Sequence, residues 1–295
     1  MPKRRKIHQA SDSVRFAAAL ILLLLIVATV AIALYRAQHP APAPQLSATA
    51  PQSLISENGI VFAGLPAAAP DLGPVQILHN SAYISGYSDS RKDPLWVAYH
   101  VIHTDHPFHL DRPKGNFLTD LRTSARVTHD DFTGSGFDRG HMAPNSAIAH
   151  CFGEEAQHQT FLLSNICPQS SVLNQKVWEA LEKEELVYAD NPAGPGDVFI
   201  LDGPIFADLN GGNTRKLPAG IAVPTAFYKI LIEAPPNAEP RVFSVIMPQT
   251  VKATQLPAQF LTSIAQIEKE THLTFLPNLP PEEQSRLKQK PWPMW

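Results

Sequence analysis

The chain has 295 residues, enough for one large domain or two small ones, and 44% hydrophobic against 17% charged residues leaves ample apolar side chains for a core. The formal net charge of −3 conceals an asymmetry: residues 1–36 carry six basic residues and one acid, so the remainder holds 18 basic and 26 acidic residues, or −8. That excludes a body attracting polyanions by overall positive charge and confines any such site to a local basic patch, while two cysteines, Cys151 and Cys167, fit no zinc module of paired Cys-x-x-Cys and leave open one disulfide or two buried thiols.

Residues 1–15 are basic and polar. From Phe16 to Tyr35 no charged residue appears, and a run of about 20 apolar residues spans a bilayer as a helix that satisfies its own backbone hydrogen bonds. The cluster Lys3, Arg4, Arg5, Lys6 holds the N-terminus in the cytoplasm and sends the body outward. The run exceeds the apolar core of a cleaved signal peptide, about 7–15 residues, so an uncleaved anchor is expected. Residues 36–55 are rich in Pro and Ala and read as an extended tether. The body is expected over 56–295.

Within the body, the aliphatic and aromatic segments Val75–Leu78, Ala82–Tyr87 and Leu95–Ile102 predict strands. Residues 105–120 read as a loop; His103, His106 and His109 recur at three-residue spacing, but Pro107 and the missing helical period argue for an exposed loop rather than a metal cluster. Phe161–Pro168 reads as a short buried strand. Gln175–Leu186 reads as a helix, capped near Ser171, with Val177, Trp178, Leu181 and Leu186 apolar at near-helical spacing. Val198–Leu201, Phe227–Ile232 and Val242–Met247 read as strands, and Pro257–Thr271 as a second helix. The Pro-rich tail from Leu276 is expected to wrap the surface or fray. Strands and helices mix without regular alternation, which points to an α+β fold.

The stretch Asp131–Asn145 concentrates the chemistry. Gly134, Gly136 and Gly140 let the backbone turn. His141 can act as a general base near neutral pH, and the planar cation of Arg139 suits phosphate. Downstream, the neutral amide oxygen of Asn174 is a hard ligand of the kind Mg²⁺ accepts, since that ion keeps most of its waters. Glu182, eight residues on, returns to within about 80° of the same helix face and can reach the metal's waters. Trp178 is expected to pack beneath. Taken singly, each residue has a plainer reading as a cap, a solvated face or a salt bridge; their order carries the signal.

Phe137-Asp138-Arg139-Gly140-His141-Met142-Ala143-Pro144 closely resembles the Asp-Arg-Gly-His motif of the DNA/RNA non-specific endonucleases, the ββα-metal nucleases. The resemblance extends to Leu163–Gln169, Leu173-Asn174-Gln175, Trp178, Leu181-Glu182, Gly203-Pro204-Ile205 and Val223–Lys229, covering most of residues 75–280. It implies a central mixed or antiparallel sheet flanked by helices. The ββα unit would comprise a strand near His141, the strand Phe161–Ile166 and the helix after Asn174. It further implies His141 as general base, Asn174 as the single direct ligand of Mg²⁺ (or Mn²⁺) and Glu182 as holder of the metal's water shell. Arg139 would contact substrate, Asp138 would brace the motif, and Arg112 would clamp phosphate, with Lys114 as the alternative. Lys176 joins Arg91, Lys92, Arg112, Lys114, Arg122, Arg126 and Arg139 in an expected basic face. The implied activity is metal-dependent hydrolysis of DNA or RNA with little sequence preference. Homodimerisation accords with some relatives. The anchor suits a bacterial inner membrane with the body in the periplasm, and would also suit a mitochondrial inner membrane. The alternatives are an inactive nucleic-acid-binding scaffold on the same fold and an enzyme for other phosphodiesters.

Overall fold

Strands Gln76–His79 (β1), Tyr83–Ser88 (β2), Asp93–Ile102 (β3), Asp197–Ile205 (β6), Ala226–Glu233 (β7) and Arg241–Pro248 (β8) form one six-stranded sheet in the order β8-β7-β6-β3-β2-β1, with every neighbouring pair antiparallel. The computed structural model describes residues 54–191, 194, 197–208, 214–235 and 238–291. Side chains alternate across the pleat, and here both faces are covered. Trp96, Ala98, Phe199, Leu201, Ile230 and Ile232 enter one core, while Val97, Tyr99, Val101, Ile200, Phe227 and Leu231 enter the other. The strands therefore read as nearly continuous apolar runs without polar alternation.

One core is closed by helices α1 (Asn145–Gln159) and α2 (Glu179–Asp190), through Ala147, Ile148, Leu173, Val177, Trp178 and Leu181. The other is closed by α3 (Ile264–Thr271), α4 (Pro281–Lys288) and the segment between them. A two-stranded antiparallel ribbon, β4 (Asp138–His141) with β5 (Ile166–Gln169), carries the motif. A third apolar cluster, with Phe132, Leu163, Ile166, Ile221 and Val223, lies near it.

The six strands predicted for the large sheet all form, with ends shifted by a few residues. The α+β class and antiparallel sheet agree with expectation. Several local readings are corrected. Helix α1 is absent from the sequence reading because Gly153, at φ +83, kinks it and breaks its apolar period. The strand expected over Phe161–Pro168 is confined to β5, because Leu163–Asn165 makes a 3₁₀ turn. The helix expected over Pro257–Thr271 is two pieces: Leu261 is extended and bridges Val245, and Ser263 caps α3 by accepting from the Gln266 N–H. Over the described residues the tail packs inward, with Leu276, Leu279 and Leu287 buried in the core. Ile55 already pairs with Phe62, so the last residue assigned to the tether is part of the folded body. Both cysteines are buried free thiols. No helix among the described residues is long and apolar enough to cross a membrane, and the span expected over Phe16–Tyr35 lies outside them.

Gly140 does not turn the chain; it lies in β4, where a Cβ would come within 2.0 Å of Gln169 Oε1 and 2.4 Å of its Cδ. Gln169 is fully buried and has little room to move. Gly140→Ala is expected to cost about 1–3 kcal/mol, the range for overpacking, measurable as a fall in melting temperature.

Candidate active site

The loop before β4 turns at Gly134 and Gly136, both at positive φ, and delivers Asp138 and Arg139 into the ribbon. His141 ends β4. The chain beyond it is fixed by buried Asn165, whose Oδ1 accepts from the Ala143 N–H (2.9 Å) and whose Nδ2 donates to the carbonyls of Ala143 and Thr160, each at 3.0 Å. The His141 ring sits between two aromatic rings: Phe117 at 5.3 Å between centroids and Phe161 at 5.3 Å, edge-on. The Arg112 guanidinium stands 5.0 Å over the Phe161 ring. Burial, reinforced by the Arg112 charge, lowers the His141 pKa to about 3. Its Nε2 has no protein partner. The site thus holds a neutral imidazole with a free ring nitrogen.

The same shift links to stability. A histidine whose folded value lies below its unfolded value of 6.5 costs no stability above that pH, and its contribution is lost as pH falls through 6.5 toward 3. Melting temperature is therefore expected to drop between pH 7 and 4 more steeply for the wild type than for His141→Ala; parallel curves would show that His141 is not held neutral by the fold.

The helical segment opposite opens with a π-helical turn over Leu173–Trp178, of the kind that often marks functional sites, before α2 continues it. Its start is fixed by Ser170, not Ser171: the Asn174 N–H donates to the Ser170 carbonyl (2.9 Å), and the Leu173 N–H to Ser170 Oγ (3.4 Å). The turn brings Asn174 and Gln175 to one carboxylate. Asn174 Nδ2 and Gln175 Nε2 both donate to Asp138 Oδ2, at 2.9 and 2.7 Å. Asp138 thereby orients the Asn174 amide and leaves Oδ1 as its free end.

Arg112, Arg139, His141, Asn174 and Glu182 line one pocket of about 360 Å³, together with Asn145, Ser146, Gln175 and Glu179. Five of the expected site residues therefore converge, and Asp138 braces from behind. Arg112, rather than Lys114, faces the site. Lys176 is exposed and does not line the pocket. Asn145, Ser146, Gln175 and Glu179 were not among the expected site residues, although Asn145 follows the motif directly and Gln175 follows Asn174. Arg139 is held by donation from Nη2 to the His129 carbonyl (2.7 Å) and Thr133 Oγ1 (3.1 Å).

The expected basic face is smaller than the sequence suggested. Arg91 is buried and donates to the Leu72 carbonyl, Lys92 donates to the Ala219 carbonyl, and Arg122 pairs with Asp120 at 2.6 Å. These cations hold the fold together. The histidine loop is not a metal cluster: His106 and His109 are exposed, His103 pairs with Asp190, and no group of three or more His, Cys, Asp or Glu among the described residues could hold a metal.

Beneath the pocket lies a fully buried charge cluster that sequence reasoning did not anticipate. Lys229 Nζ lies 3.0 Å from Asp202 Oδ2 and 3.3 Å from Glu185 Oε2, and donates to Tyr99 Oη at 2.6 Å. Tyr99 donates in turn to Glu185 Oε1 (2.7 Å), and Lys229 stands 4.7 Å over the Trp178 ring. Glu182 feels this cluster. Burial pushes its pKa up to about 8; Lys229 opposes the shift, and Glu185 and Asp202 add to it. A cation in the pocket would restore its charge. The oxygens on offer, the Asn174 amide and the Glu182 and Glu179 carboxylates, form a hard donor set suited to a divalent ion that keeps most of its waters.

The model of the family described as DNA/RNA non-specific endonuclease matches residues 70–282. Human mitochondrial endonuclease G is 31% identical over 221 residues, covering 70% of this chain and 71% of that protein. The nuclease of Serratia marcescens is 30% identical over 216 residues, covering 71% and 78%, and that of Syncephalastrum racemosum 32% over 229 residues, covering 70% and 69%. Among solved structures, the crystal structure of the EndoG/EndoGI complex aligns with a TM-score of 0.61 at 24% identity, over 70% of this chain and 88% of the other. That likeness bears on the fold.

Proposed function

The chain belongs to the DNA/RNA non-specific endonuclease family, whose members hydrolyse phosphodiester bonds, and from that premise we propose that His141 is its general base and Asn174 its metal-holding residue. The observation that carries this reading is the convergence on one pocket of a neutral imidazole with a free Nε2 and an amide oriented by Asp138.

His141 takes the proton of an attacking water at Nε2. Its neutrality keeps that nitrogen available, and the walls of Phe117 and Phe161 limit its rotation and exclude bulk water. Arg112 and Arg139 face phosphate oxygens and offset charge that grows on them. Asp138 keeps the Asn174 amide from flipping, so that Oδ1 faces the pocket. Glu182 orders water on the same side. Asn174 would hold a divalent ion there, Mg²⁺ or Mn²⁺, with Glu182 ordering its waters, and the ion would supply Lewis-acid charge neutralisation. Contacts of this kind address the backbone rather than base edges, which supports weak sequence preference on DNA or RNA. The basic cluster Lys3–Lys6 and the uncharged run Phe16–Tyr35 support a membrane-anchored enzyme with its body in the periplasm.

The test compares supercoiled plasmid, structured RNA and bis(p-nitrophenyl) phosphate with the full-length protein in Mg²⁺ and in EDTA. Metal-dependent cutting of the polynucleotides, far faster than of the small diester, is expected. Preference for the small diester would favour an enzyme of other phosphodiesters, and binding without cutting would favour a scaffold.

A further inference from the structure

Gln249 lies just past the end of β8, remote in sequence from every residue of the motif. Its backbone N–H donates to the Thr225 carbonyl at 2.9 Å, which ties it to the large sheet near the start of β7. Its side chain spans Pro168 of β5 and Ser170 just beyond the end of that strand. Nε2 donates to the Pro168 carbonyl at 2.7 Å, and Oε1 accepts from the Ser170 N–H at 2.7 Å. A third bond runs from Ser170 Oγ to the Gln249 carbonyl at 2.6 Å. Three short contacts thus converge on a segment of three residues.

That segment is where both halves of the site are set. Pro168 is the cross-strand partner of Arg139, and Gln169 of Asp138. The Ser170 carbonyl receives the N–H of Asn174. A continuous path runs from the sheet through Gln249 to Ser170 and on to Asn174. The bond between Asn174 and Asp138 then closes it into a loop.

We propose that Gln249 is a positioning residue for the Asn174 amide, fixing the start of the π-helical turn against the sheet so that Oδ1 is held ready for a divalent cation. This rests on the reading that Asn174 holds that cation. The bond pattern requires both the donor and the acceptor end of the amide. An isosteric apolar side chain keeps the packing and loses the function.

The experiment measures Mn²⁺ binding to the full-length protein by calorimetry, without substrate, for wild type, Gln249→Met, Asn174→Ala and the double variant, with melting temperature alongside. Loss of a residue that orients a metal ligand typically weakens affinity about 10- to 100-fold. Gln249→Met is expected to weaken Mn²⁺ binding about tenfold on that scale and to leave binding of an oligonucleotide in EDTA unchanged. In the Asn174→Ala background it should add less than about twofold, because both act through one ligand. Ser170→Ala, which removes the short bond to the Gln249 carbonyl and the longer one from the Leu173 N–H but keeps the Gln249 amide bonds, should weaken Mn²⁺ binding in the same direction but less. It carries the test if Gln249→Met does not fold. Wild-type Mn²⁺ affinity in Gln249→Met or, where that variant does not fold, in Ser170→Ala overturns the inference, as does a full additional loss in the double variant. Wild-type affinity in Asn174→Ala overturns the metal reading beneath it, an outcome distinct from failure of Gln249 alone.

Discussion

His141→Ala lowers the rate of nucleic-acid cleavage by at least about 10²-fold, toward the 10⁴-fold that a positioned general base can contribute. The expectation follows from the other residues of the pocket. Arg112 and Arg139 are cations, and Asn145, Ser146, Asn174 and Gln175 carry no basic group of suitable strength. Glu179 and Glu182 lie on the α2 side with Asn174, where a carboxylate serves the cation. Alanine also leaves space between Phe117 and Phe161, which admits water but positions none. The loss should appear in single-turnover rates at saturating metal while Mn²⁺ binding is retained, because Asn174 belongs to a different element. A variant that cleaves within a few-fold of wild type would remove His141 from the mechanism.

The second large effect concerns stability. Lys229→Met should cost about 3–5 kcal/mol in urea denaturation, the cost of removing one partner of a buried ion pair and leaving the other charge uncompensated. Lys229, Glu185 and Asp202 all have fully buried side chains, so water cannot replace the missing ammonium. By contrast the Lys183–Glu179 pair is shorter, at 2.7 Å, yet both side chains are well exposed, and its loss should cost less than about 1 kcal/mol. Combining Lys229→Met with Glu185→Gln and Asp202→Asn should recover much of the loss, since no buried charge then stands alone. An unfolding midpoint for Lys229→Met equal to wild type would mean that the cluster is not desolvated. Removing Lys229 also withdraws a cation that lowers the Glu182 pKa, so activity should fall beyond what instability explains.

The chemistry was legible where it is local. Asp138, Arg139, Gly140 and His141 are contiguous, and Asn174 and Glu182 lie on one continuous helical segment, so order and spacing sufficed to group them. The strands were legible because burial on both faces makes them long apolar runs. Three kinds of feature were hidden. Helix α1 carries a glycine at positive φ and small polar residues, so it shows no clean helical period. The cluster under Glu182 joins Tyr99, Glu185, Asp202 and Lys229, which meet only when β3, β6, β7 and α2 pack. Nothing in the run Ala226–Glu233 says that its lysine points into the core. The expected basic face failed for a related reason: charge can be counted from sequence, but pairing cannot. Arg122 is claimed by Asp120 two residues away and by the carbonyl of His79. Arg112 could be named from the resemblance, yet its stacking on Phe161 becomes visible only when the loop folds over the site.

The most direct test of the account is cleavage of supercoiled plasmid by the full-length protein in Mg²⁺, in EDTA, and by His141→Ala in Mg²⁺. Nicking and linearisation are expected in the first case only, with the histidine variant at least about 10²-fold slower. Equal cleavage in EDTA, or by His141→Ala, would contradict a metal-dependent site built on His141 and Asn174.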